Sequence, residues 1–131
     1  MQTFLPYPDF RRSLRCLDYR RLGKQRVEAM QIYNTITGKS DGWKSHPMIR
    51  MWRGYDKALA LYHNIAIEEW IKRGYNNNME KIIVRGKVKY PPWLGNRKFH
   101  KSHRSNLLRK NPEFYGQYKW KEPDNLPYIW F

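Results

Sequence analysis

Apolar side chains recur with helical spacing in four stretches of the chain and alternate, strand-like, in one. From about Leu22 to Thr37, the residues Ala29, Ile32, Tyr33 and Ile36 form one stripe, and Thr37-Gly38 supplies an exit before the loop GKSDGW. Pro47 suits the first turn of a short helix reaching Arg53, which Gly54 would end. Tyr55 to Arg73 is apolar on most sides, with its charge gathered at the two ends, which predicts a central buried helix stopped at Gly74. After the polar run NNN, KIIVRGKVKY alternates like a strand, but prolines 91 and 92 break it and no partner strands are evident. Helical spacing resumes over residues 99–110 and stops at Asn111-Pro112, while the opening TFLPYPDF and the closing PDNLPYIWF read as extended. The expected fold is mostly α: a single compact domain over residues 1–131, with about three to four helices, long ordered connections and an extended C-terminal tail.

Composition narrows the class. With 40% hydrophobic and 16% aromatic residues the chain is too apolar to stay disordered. The single Cys16 has no partner for an intrachain disulfide, and MQTFLPYPDFRR lacks the apolar core of a signal peptide, so a cytoplasmic protein is expected. The longest apolar-leaning run, 58–67, is interrupted by His63 and Asn64 and falls short of the ~20 residues of a membrane span.

Charge changes the picture most. Of the net +15, residues 11–26 contribute seven Arg or Lys against Asp18, and residues 85–121 contribute eleven against Glu113; the remaining residues are close to neutral. Two concentrated basic segments read as a footprint for a polyanion, nucleic acid ahead of acidic lipid. Tyr90, Trp93, Phe99, Tyr115, Tyr118 and Trp120 are interleaved with the second segment, where rings either stack on bases or close the core.

Two constellations are candidates for chemistry. On the helix beginning near Leu22, Arg21, Lys24 or Gln25, Glu28, Gln31 and Thr35 fall along one polar stripe, with Glu28 its only carboxylate. Beside a bound polyanion such an acid stabilises developing positive charge or relays protons; the plainer reading is a surface pair with Lys24. In FHKSHRSNLLRK, residues 99–110, His100, His103 and Arg104 share a helical face, and Ser102, Ser105 and Asn106 add short hydrogen-bonding groups of the kind that contact phosphates and base edges. A metal on the His100/His103 pair is the weaker alternative, since no further Cys or carboxylate ligands lie nearby. His63 reads as a core histidine and His46, before Pro47, as a helix-start residue. No glycine-rich phosphate loop, paired carboxylates or nucleophile elbow is present, so no cofactor is expected. The terminal amine remains: an α-amine titrates near ~7.7 against ~10.4 for lysine, which leaves part of it nucleophilic at neutral pH.

The segments LDYRRLGKQRVEA (17–29), SHPMIRMWRGYDKAL (45–59) and IEEWIKRGY (67–75) together resemble the pyrimidine-dimer glycosylase family typified by phage endonuclease V, in its bacterial form. The resemblance covers roughly residues 1–79. It implies a compact all-α fold acting on damaged DNA; the expected partner is damaged or modified double-stranded DNA, with RNA as an alternative, and the protein is expected to be a monomer. It also implies an N-terminal amine that attacks the sugar carbon bearing the base and forms a Schiff base, assisted by a glutamate. Carried onto this chain, the catalytic residues are Met1 and Glu28. With the basic segments and the 99–110 face included, the expected nucleic-acid contacts are Arg20, Arg21, Lys24, Arg26, His46, Arg50, His100, His103, Arg104, Asn106 and Lys110. Arg26 matches the family's arginine, but Val27 stands directly after it, with Glu28 one place later, and Gln2 replaces the small residue whose amine the family exposes. The rival readings are a non-catalytic DNA- or RNA-binding module on the same fold and a metal-dependent nuclease.

Overall fold

The computed structural model describes residues 1–131 and contains six α-helices, one 3-10 turn and no strand. α1 (Phe10–Arg15) is too short to show a periodic stripe; it starts because Asp9 caps it, its carboxylate accepting from the Arg12 N–H at 2.7 Å. α2 (Tyr19–Ile36) begins about one turn before Leu22, and α3 (Pro47–Trp52) takes proline in its first turn as expected. α4 (Asp56–Lys72) is the central helix, packing most extensively against α2 and also against α1. Leu22, Ala29 and Ile32 of α2 join Leu59, Tyr62 and Ala66 of α4 in one buried cluster, where each Leu or Ile contributes ~1.5–3 kcal/mol over its exposed state. Gly23 matters to this packing: a Cβ there would stand 3.0 Å from the Trp70 ring, so glycine is what lets the α4 indole lie on α2.

Residues 76–96 form the long connection, and KIIVRGKVKY forms no ladder and bends at Gly86, where φ is +77°. Asn64 of α4 replaces a partner strand. Its amide donates to the Ile82 carbonyl at 2.7 Å and accepts from the Ile82 N–H at 2.8 Å. α5 (Arg97–Lys110) starts two residues before Phe99, capped by Asn96, and is followed by the short α6 (Pro112–Tyr115) and a 3-10 turn, Gly116–Tyr118. Of the interleaved aromatics, Trp93, Phe99 and Tyr115 close the core, while Tyr118 and Trp120 stack on one another and Tyr90 stays half exposed. No helix is long and apolar enough to cross a membrane.

The first seven residues form no helix or strand and bend from Pro6, so side chains must satisfy their backbone. Gln25 amide Nε2 donates to the Gln2 carbonyl at 2.9 Å, and its Oε1 accepts from the Phe4 N–H at 2.8 Å. The Tyr62 hydroxyl lies 2.8 Å from the Phe4 carbonyl and 2.6 Å from Gln25 Oε1, sharing its proton between them. Leu5 is held from α5: its N–H donates to His103 Nδ1 at 2.9 Å and its carbonyl accepts from His100 Nδ1 at 2.7 Å. Arg104 reaches the Pro6 carbonyl at 2.6 Å, and the Ser13 hydroxyl serves both backbone groups of Tyr7.

α5 docks the tail as well. Ser105 bonds the Pro123 carbonyl and the Leu126 N–H, Asn106 the Leu126 carbonyl, and Ser102 the Ile129 N–H. Both chain ends are thereby laid along one helix.

Candidate active site

α2 carries its cations and Glu28 past the N-terminal segment, and the tail closes the other side. Between them lies a cavity of about 720 Å³, lined by Met1, Gln2, Phe4, Arg20, Arg21, Lys24, Glu28, His46, Lys110, Tyr128 and Trp130. Four lysine or arginine side chains and one carboxylate make it a positive basin with a single acid. Glu28 Oε2 accepts from the Gln2 N–H at 3.1 Å and from Gln25 Nε2 at 3.3 Å, rather than pairing with Lys24. One residue earlier on the helix, Val27 turns outward and is exposed. The helical rotation of about 100° per residue therefore puts the acid, not Val27, beside the N-terminal segment.

Gln25 is fully buried and bonded to Gln2, Phe4, Tyr62 and Glu28, so it couples the position of the acid to that of the chain's first residues. Asp18 sets one cation of the basin. It is bridged to Arg21 at 3.2 Å, its carboxylate accepts from the Tyr115 hydroxyl, and its N–H donates back to that oxygen at 3.0 Å. These bonds explain why Asp18 leaves α2 without a side-chain cap.

Burial lowers the proton affinity of Lys110, and the Arg21, Arg109 and Lys24 charges add to that effect against an opposing pull from Glu28. His46 is lowered by burial and by the terminal amine, with Glu28 again opposing. Burial pushes Tyr128 up to about 12, so its hydroxyl keeps its proton at neutral pH.

Seven of the expected residues meet in this cavity: Met1, Arg20, Arg21, Lys24, Glu28, His46 and Lys110. The others do not. Arg26 lies over the Trp70 ring at 4.2 Å and bonds Asn77 at 2.8 Å, away from the basin. Arg50 is exposed and holds the Phe131 carbonyl at 3.1 Å.

The FHKSHRSNLLRK motif is corrected by its surroundings. His100, His103 and Asn106 are buried, and their hydrogen bonds go to the N-terminal segment and the tail, so a surface for DNA is not what they offer. Burial, with His100 adding, pushes His103 down to about 3, a value for a neutral core ring. Arg104 is paired with Glu122 at 2.9 Å as well as with Pro6. A helical face of polar residues serves equally to clamp backbone that lacks a sheet partner, and its periodicity is the same in either role. No three His, Cys, Asp or Glu side chains come together as metal ligands would.

Four wall residues were not foreseen: Gln2, Phe4, Tyr128 and Trp130. Tyr128 and Trp130 alternate along an extended segment and so face one side, a signal present in PYIWF, but nothing local says which side meets the cavity.

Fold and cavity together define a small helical protein whose basic, acid-bearing basin lies at its first residues and is charged to receive a polyanion. The family model for pyrimidine dimer DNA glycosylases matches residues 1–83, and the chain belongs to that family of DNA-repair glycosylases. No curated protein and no solved structure matches it. The matched segment holds Met1, α1 to α4 and Glu28; Lys110, Tyr128 and Trp130 lie beyond it.

Proposed function

We propose that the protein is a DNA glycosylase with lyase activity, removing a damaged or modified pyrimidine from duplex DNA and working in the cytoplasm as a monomer. The observation that carries this reading is the meeting of the first residues, Glu28 and four cations in one cavity. The target nucleotide leaves the helix and enters the basin, while Arg20, Arg21, Lys24 and Lys110 hold the flanking phosphates. The α-amine of Met1 attacks the sugar C1′; the C1′–N bond breaks and its electron pair leaves with the base. Glu28 takes the proton lost by the amine and passes it to O4′ as the C1′–O4′ bond breaks, and its carboxylate stabilises the positive charge of the iminium that this ring opening forms. In the lyase step a base removes the C2′ proton and the 3′-phosphate departs, opening the strand.

Borohydride tests it. With a duplex bearing an abasic site, wild-type protein is expected to give a covalent adduct that mass spectrometry places on the α-amine, and in a duplex bearing a cyclobutane pyrimidine dimer the glycosidic bond of the 5′ pyrimidine is expected to be cut, the base coming free only after photoreversal of the cyclobutane. Adducts on an internal lysine would remove the amine mechanism and leave a lyase. A second reading draws on Gln2, whose backbone N–H already occupies Glu28. On that reading the fold binds lesions without cutting, and tight binding with neither base release nor trapping would establish it. Competition with duplex RNA decides between the two nucleic acids.

A further inference from the structure

His46 occupies the N-cap of α3, its imidazole Nδ1 accepting from the Met48 N–H at 3.0 Å. A ring nitrogen that accepts carries no proton, so the neutral imidazole holds its one proton on Nε2. The rings of Trp43 and Trp130 stand edge-on to it, with centroids 6.1 and 5.9 Å away and interplanar angles of 85° and 81°. Cap and indoles together leave the ring one orientation. Nε2 makes no hydrogen bond within the protein, while the ring lines the cavity that holds Met1 and Glu28. Asn, Asp, Ser or Thr would cap the helix as well. What histidine adds is a second polar atom on its far edge.

We propose that His46 is a further catalytic residue of this cavity, its Nε2–H donating a hydrogen bond to the departing pyrimidine during base release. The assignment rests on the glycosylase reading above. As the bond from the Met1 nitrogen to C1′ forms and the C1′–N1 bond breaks, the electron pair left on N1 delocalises onto the adjacent carbonyl oxygen. That oxygen is the acceptor Nε2–H meets, and the base later takes its proton from water. The bond strengthens as charge develops, so it favours the transition state over bound substrate. Burial lowers the proton affinity of the imidazole, and the accepting Nδ1 requires the neutral ring, which suits a donor that stabilises charge without changing its own. Lys24, on a flexible and exposed stem, suits a phosphate better than a defined base edge.

The test is His46→Asn, which keeps an acceptor for the Met48 N–H and removes the distal donor. Single-turnover base release, read as free pyrimidine after photoreversal of the cyclobutane, is measured on a duplex with a cyclobutane pyrimidine dimer, and imine trapping on a duplex with a preformed abasic site, which has no base left to expel. Base release is expected to fall by about 10²–10³-fold, with the loss on the dimer duplex exceeding the loss on the abasic duplex at least tenfold. His46→Ala, which also loses the cap, is expected to show the same selective loss together with a lower melting temperature. Base release within about threefold of wild type in His46→Asn, or parallel losses on both duplexes, would overturn the assignment and leave His46 a helix cap. Wild type that neither releases base nor traps an imine would overturn the glycosylase reading and this assignment with it, a failure visible before any variant is made.

Discussion

Replacing Gln25 by leucine removes the amide that ties the first residues to α2. The Phe4 N–H and the Gln2 carbonyl then lose their bonds at 2.8 and 2.9 Å inside the protein, whereas the Tyr62 hydroxyl keeps the Phe4 carbonyl at 2.8 Å. Each stranded backbone group costs ~1–3 kcal/mol. The leucine recovers part of that through apolar burial, so a net loss of about 3 kcal/mol is expected. In a chain of 131 residues this corresponds to a melting temperature lower by ~10 °C, measurable by calorimetry. Gln25→Glu separates stability from chemistry. It keeps acceptors for Phe4 and Tyr62 but sets a second carboxylate where Nε2 now lies 3.3 Å from Glu28. Two acids at that distance do not ionise together, so the acidic limb of the pH–rate profile is expected to move to higher pH. A melting temperature for Gln25→Leu within ~2 °C of wild type would refute the reasoning, because backbone groups that stay satisfied without Gln25 are not held by it.

Glu28→Gln keeps the shape of the acid and removes its charge, so turnover on a dimer duplex is expected to fall by orders of magnitude while affinity in a filter-binding assay holds or improves. Duplex binding followed against salt should show a log–log slope near ~−3.6 from the four basin cations, and Lys110→Ala should flatten it by about one. Arg104→Ala should instead lower stability and leave the slope alone, since that guanidinium is bonded to Glu122 and Pro6. His103, held neutral with its proton affinity down to about 3, makes the folded state bind fewer protons than the unfolded one. Its contribution is complete above pH ~6.5 and is lost as pH falls toward 3, at up to ~1.4 kcal/mol per pH unit, a slope that His103→Gln should remove from denaturant melts.

Much of the helical frame is legible in the residue order. Stripes of apolar residues, Pro47 at a first turn and glycines after helix ends are local signals, set by periodicity and backbone geometry within one or two turns. The clustering of positive charge is equally visible, and so is Glu28 as the single acid of its face. The short α1 and α6 escape the same reading because one turn and a half carries no period; only their caps, Asp9 and Asn111, announce them.

Which polar face is a site and which is a clamp was decided by tertiary structure. Arg20, Arg21, Lys24 and Glu28 border open space because the N-terminal segment and the tail pass beside α2 without covering it, while His100, His103 and Asn106 are covered by those same segments. Spacing along a helix specifies which side chains share a face and carries no record of what lies against it. An extended segment without a sheet must draw its hydrogen bonds from whatever helix it crosses, and that crossing joins residues nearly a hundred positions apart, as between Leu5 and His103. Local pattern therefore determined the helices and the charge of this protein, and the path of its two ends determined where that charge is free to meet DNA.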